Sequence, residues 1–229
     1  GLDGTGNRYA QVLRFTADAA TNYTTLVPGS EVVLLGGAGT SLADISGGGA
    51  LNFTSPDHAD NVASDRTIAP GTNPVVIDGF KQDYIKVDSL SHAGGSLAFG
   101  PDGALYVGIG DGTSFDFADP RTLDVQSLDS LSGKILRIDP ITGLGLADNP
   151  FVTGDTALDT NRAKVYQYGA RNPFSMTFSA DGQLVITDTG WNSWEKIISG
   201  GPGANFGWPY FEGGNDGVLI PAPVYRDFP

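Results

Sequence analysis

Apolar and polar residues alternate most regularly over residues 91–112, SHAGGSLAFGPDGALYVGIGDG. Leu97, Phe99, Leu105, Val107 and Ile109 recur at every second position on either side of the turn sequence Pro101-Asp102-Gly103, which predicts a β-hairpin. At its open ends stand His92, one of two histidines in the chain, and Asp111 within Gly110-Asp111-Gly112. An imidazole and a carboxylate thus come to one edge of a small sheet. Short apolar runs at residues 11–15, 32–35, 75–77, 84–87 and 133–140 predict further strands, the last stopping at Pro140. Residues 113–129 are polar and acidic between two such runs. The glycine-rich stretches 1–6 and 36–49 lack the strand-then-helix setting or Gly-Lys-Ser/Thr ending of a phosphate loop, and predict a turn and a surface loop. His58 has no partner at ligand spacing, and is expected at the surface.

The hairpin has an echo. Ser96-Leu-Ala-Phe-Gly-Pro-Asp-Gly-Ala-Leu-Tyr-Val returns as Ser175-Met-Thr-Phe-Ser-Ala-Asp-Gly-Gln-Leu-Val-Ile, 79 residues on. That offset is close to twice the ~40 to 45 residues of a four-stranded propeller blade, so the two copies are expected in alternate blades. Short strands, Asp-Gly hairpins and this period point to a β-propeller, with a β-sandwich as the alternative. At that period the 229 residues hold about five blades, and the expectation is one domain over residues 1–229 forming an incomplete ring.

Composition supports an all-β class: 33 glycines, 14 prolines and one methionine suit short strands and turns rather than long helices. A formal charge of -13, with basic residues scattered, disfavours nucleic acid and anionic membranes and keeps calcium open. Disulfides and thiolate metal sites are excluded because there is no cysteine. No apolar run approaches the ~20 residues of a membrane span. The sequence starts at Gly1 without a signal peptide, so export is not read from its ends; Asn22-Tyr23-Thr24 and Asn52-Phe53-Thr54 are glycosylation sequons.

Three places can carry chemistry. His92 can act as a general base or simply tie loops together. Arg171 and Asn172 precede the second hairpin as His92 precedes the first; they can bind an anion or an oxygen, or hold backbone carbonyls. The turn at residues 188–195, DTGWNSWE, follows the second hairpin as Gly110-Asp111 follows the first, and its oxygen-rich composition suits calcium better than zinc. Trp191, Trp194 and Trp208 are expected to pack rather than to stack on sugars.

In order and wording, HAGGSLAFGPDGALYVGIGDG, QSLDSLSGKILRIDPITG, VYQYGARNPF, DTGWNSWEKI and GANFGWPYFEG resemble the glucose/sorbosone dehydrogenase family of soluble quinoprotein sugar dehydrogenases. The resemblance implies a six-bladed β-propeller, pyrroloquinoline quinone (PQQ) held with calcium, an aldose substrate and an extracellular or periplasmic location. It implies that His92 takes the proton of the anomeric hydroxyl as hydride moves to the quinone. Arg171 and Asn172 match the quinone-contacting Arg-Asn-Pro, the backbone carbonyls of Gly190 and Trp191 fall where the cofactor's calcium is bound, and Glu195 matches a carboxylate supporting a structural calcium. The sequence also departs from the pattern. Lys196 and Ile198 replace an acidic residue and an asparagine, Phe206 replaces tyrosine, and Ser91 stands where glucose-active relatives carry an aspartate that would orient the imidazole. By the resemblance, most of the cationic residues that clamp the quinone in active relatives are expected beyond this sequence, which leaves Arg171 to hold an anion. Two other readings compete: a non-catalytic extracellular propeller binding glycan or protein, with calcium only structural, and a lactonase-like hydrolase needing several carboxylates on one metal.

Overall fold

Alternation along residues 104–109 sends the side chains of one strand to both faces of its sheet, and both faces are covered. The computed structural model of the chain describes residues 8–37, 63, 65–66, 75–88, 92–114, 118–215, 218–222 and 225. His58, Ser91, the Asn52 sequon, the residue 1–6 turn and most of the 36–49 loop lie outside the described residues.

In chain order the strands are β1 (Arg8–Ala10), β2 (Val12–Arg14), β3 (Val32–Leu35), β4 (Val76–Ile77), β5 (Phe80–Lys81), β6 (Ile85–Val87), β7 (Ser96–Phe99) and β8 (Leu105–Ile109). They continue with β9 (Lys134–Ile138), β10 (Val165–Tyr168), β11 (Pro173–Phe178), β12 (Leu184–Asp188), β13 (Lys196–Ser199), β14 (Phe211–Asn215) and β15 (Val218–Pro221). Described helix is limited to short 3₁₀ segments and one turn, α1 (Asn161–Lys164), so the fold is mostly β.

Strands β7 to β10 form a four-stranded antiparallel meander in the order β10-β9-β8-β7, with Ser96 opposite Gly108 and Phe99 opposite Leu105. This is the up-and-down arrangement of a propeller blade. A second sheet, β11-β12-β13, and four two-stranded ladders complete the described pairing. On one face of the meander Leu105, Val107, Ile109, Leu136 and Ile138 pack against Leu34, Leu35 and Ile85. On the other, Ala104, Tyr106 and Ile135 pack against Met176, Leu184 and Ile186 of the second sheet. Gly108 permits that approach, because a Cβ there would crowd Met176 and Pro173.

Sheet β11-β12-β13 therefore lies directly beside the meander, with β11 against β7 and β8. This corrects the expectation of alternate blades: the two hairpins belong to successive sheets, and the 79-residue offset is one sheet rather than two. The period misleads because residues 110–133 and 139–164 connect strands of one sheet, and the count of about five blades falls with it.

Residues 113–129, polar in sequence, hold a largely buried 3₁₀ segment, Pro120–Gln126. The Asp119 side chain accepts from Arg121 N and pairs with the Arg121 guanidinium, so the segment's polar groups are satisfied internally and burial leaves no hydropathy signal. Lys134 is likewise fully buried, its ammonium nitrogen donating to the carbonyls of Val125 and Ser132. Burial lowers its pKa to about 7, against the pull of Asp124 and Asp65. Between about pH 7 and pH 10 the unfolded chain then binds a proton that the folded chain does not, and this residue's contribution to stability rises with pH. Urea melts of the protein and of Lys134→Met should differ in pH slope across that window; parallel curves would refute a depressed lysine.

Candidate active site

His92 lies at the mouth of β7 with φ 58°, in the left-handed region that non-glycine residues adopt only when held. Gly112 N donates to its carbonyl at 3.1 Å, and a Cβ on Gly110 would overlap that same carbonyl, so the Gly-Asp-Gly after β8 clasps the residue. The clasp brings His92 Nδ1 to 2.9 Å from Asp111 Oδ1, with side-chain exposures of 6% and 1%.

Asp111 is surrounded by donors. Thr113 N donates to Oδ1 at 3.1 Å and the Trp208 indole N–H to Oδ2 at 3.0 Å. Burial pushes the carboxyl up, but the imidazole, Arg171 and the Thr113 N–H outweigh it, and its pKa falls below the ordinary value. An anionic Asp111 only accepts, so the hydrogen-bond network assigns the proton of a neutral His92 to Nδ1. This leaves Nε2 as the basic nitrogen, with no partner among the described residues. The orienting carboxylate that Ser91 cannot supply comes from the other end of the hairpin.

Arg171 joins this edge through its backbone, since its carbonyl accepts from Asp111 N at 2.8 Å. Its buried guanidinium donates through Nη1 to Gly190 O at 2.7 Å and lies 5.4 Å from the Trp208 ring centroid. Its Nε is buried with no hydrogen-bond partner among the described residues. Asp188 accepts from the backbone N–H groups of Arg171 and Asn172 at 3.0 and 2.6 Å, while Lys196 Nζ reaches its other oxygen at 2.8 Å. Asn172 is half-buried, with its amide 3.5 Å from Thr189 Oγ1.

In the third element, Gly190 N donates to Glu195 Oε2 at 3.2 Å, and Trp191 packs edge-on against Trp208 and Tyr225. Trp208 is buried and Trp194 is half-exposed, so packing describes Trp191 and Trp208. Glu212, at the start of β14, accepts at one oxygen from the N–H groups of Trp191, Asn192, Ser193 and Trp194. Trp208, Lys196 and Glu212 are site residues that sequence reasoning did not assign; the order of Trp208 and Glu212 within GWPYFEG was visible, but not what they touch.

His92, Arg171 and the Gly190 turn thus meet around Trp208. The donor set offers an anion a buried guanidinium with an unused N–H, and offers a cation the backbone carbonyls of the turn, of which Gly190 O already accepts from Arg171. No three His, Cys, Asp or Glu side chains converge on a metal position among the described residues, so a calcium here would rest on the carbonyls of Gly190 and Trp191.

The sequence profile described as Glucose / Sorbosone dehydrogenase matches residues 77–218, more than half of the chain. The chain belongs to the glucose/sorbosone dehydrogenase family. It is similar to the HIPL1 protein of Arabidopsis thaliana, 32% identical over 136 residues, covering 54% of this chain and 19% of that protein. It is also similar to quinoprotein glucose dehydrogenase B of Acinetobacter calcoaceticus, 29% identical over 140 residues, covering 56% of this chain and 28% of that protein. Among solved structures, the PQQ-bound aldose sugar dehydrogenase of Streptomyces coelicolor aligns at 30% identity with a TM-score of 0.45, covering 62% of this chain and 40% of that one. The chain spans less than a third of the length of either curated relative.

Proposed function

We propose that this chain is the catalytic part of a six-bladed β-propeller, in an extracellular or periplasmic protein that oxidises an aldose with PQQ and calcium. The observation that carries the reading is the buried His92–Asp111 pair, 2.9 Å apart at the mouth of a hairpin within the family match. The name of the Acinetobacter relative supports a quinone and a sugar.

Bound PQQ supplies the two-electron acceptor for the hydride on C1 of the sugar. His92 Nε2 takes the proton of the C1 hydroxyl while Nδ1–H stays on Asp111, so that loss of hydride and proton leaves the lactone. Arg171, with Asn172 beside it, binds anionic oxygens of the cofactor, and the carbonyls of Gly190 and Trp191 hold calcium, with Glu195 supporting the turn. Lys196 pairs with Asp188 and cancels the charge of that buried carboxylate beside Arg171, in a chain of formal charge -13.

Loaded with PQQ and calcium, the protein should reduce an artificial electron-accepting dye when an aldose is added. Loading followed by no dye reduction with any of a panel of aldoses would overturn the reading.

A further inference from the structure

Glu212 is 3% exposed, and one of its carboxylate oxygens accepts from four consecutive backbone N–H groups: Trp191 at 2.7 Å, Asn192 at 2.6 Å, Ser193 at 2.8 Å and Trp194 at 3.4 Å. Such a concave row of amides is an anion-binding nest, here filled by the protein's own side chain. Burial raises the Glu212 pKa, but the four N–H groups outweigh it, and the carboxyl lies below its ordinary value.

Peptide geometry gives this contact a consequence beyond the nest. In a trans peptide unit the N–H of one residue and the C=O of the residue before it point in opposite directions, and the described cis bond, Trp208–Pro209, is elsewhere. An N–H of Trp191 aimed at Glu212 therefore turns the Gly190 carbonyl away from Glu212, and the N–H groups of Asn192, Ser193 and Trp194 do the same to the carbonyls of Trp191, Asn192 and Ser193. Arg171 Nη1 meets Gly190 O at 2.7 Å, on that far side. Among the four, the carbonyls of Gly190 and Trp191 are the two assigned to calcium above.

We infer that Glu212 is a positioning residue, whose buried carboxylate turns two successive peptide units so that the carbonyls of Gly190 and Trp191 present their oxygens together to a cation. The inference rests on the calcium reading of that turn. Glu212 touches neither the cation nor the sugar. It replaces with a fixed internal anion what a flexible Gly-Trp-Asn-Ser turn would otherwise need a ligand to organise.

The test combines amide exchange with terbium binding in the presence of PQQ, in the protein and in Glu212→Ala and Glu212→Gln. Terbium stands in for calcium, and its emission is excited through the neighbouring indole of Trp191. In Glu212→Ala, exchange of the amides of residues 191–194 should quicken at least about tenfold, and calcium-competed terbium affinity should fall at least about tenfold. Glu212→Gln keeps an acceptor oxygen and should fall between the two. Histidine NMR signals that stay in place mark a folded site, so that an affinity loss is not general unfolding. Terbium affinity in Glu212→Ala within twofold of the unaltered protein would overturn the inference and leave the calcium reading standing. No calcium-competed terbium emission from the unaltered protein would overturn the calcium reading and the inference with it.

Discussion

Asp111→Asn is expected to lower aldose oxidation by about 10² to 10⁴-fold, the range supplied by a positioned general base, with little change in the binding of PQQ. Two of the three donors around this carboxylate are fixed N–H groups, Thr113 N on one oxygen and the Trp208 indole on the other. An amide cannot satisfy both: whichever way it is flipped, its own NH₂ faces an N–H. With its oxygen towards Trp208, the NH₂ also donates to His92 Nδ1, forces the imidazole proton onto Nε2 and removes the base, the same tautomer inversion that disables Ser-His-Asp triads. The unpaired buried N–H should also cost about 1–3 kcal/mol of stability. Dye-reduction kinetics and urea melts read the two effects separately; a variant that retains more than a tenth of the turnover would mean that Asp111 does not set the tautomer of the base.

Gly190→Ala should abolish the cation site by a different route. A Cβ at this position would overlap the carbonyl of Trp194, where the turn closes on itself. The requirement is for space rather than for a left-handed backbone, so no L-residue avoids it by adjusting φ. The turn must open, which separates the two carbonyls, and calcium affinity should fall by at least about tenfold, with aldose oxidation following it. Gly201→Ala is the matched control, since a Cβ there meets nothing within 4 Å and should leave affinity and turnover unchanged. Calorimetric titration of both variants with calcium in the presence of PQQ tests the contrast. Equal affinities would mean that the cation does not sit on this turn.

Much of the scaffold was legible in the sequence, because hairpins announce themselves by period-two alternation around Asp-Gly turns, and β7–β8 and β11–β12 fall on the two copies of that pattern. The spacing of the copies was legible too, but not its meaning. Strands β9 and β10 follow long connections that add to the same sheet, and buried polar groups such as Arg121 and Lys134 make core segments look like surface.

The site divides in the same way. His92 and Asp111 were placed together by the hairpin register alone, because the two ends of a hairpin must meet. Lys196 looked like a departure from the family pattern until its ammonium was found on Asp188, beside the same indole that supports Arg171. Glu212 left no trace, since its partners are backbone N–H groups, which every sequence possesses. Residues 91 and 58 carry expectations outside the described residues.

Nitrogen NMR of histidine-labelled protein addresses the central claim most directly, that the His92–Asp111 pair presents a basic Nε2 to a PQQ and calcium site. The chain has only two histidines, and a His58→Ala variant assigns the signals. The account predicts that neutral His92 carries its proton on Nδ1, and that its Nε2 signal moves when PQQ and calcium are added together. A His92 protonated on Nε2, or one whose signals do not respond to PQQ and calcium, would contradict it.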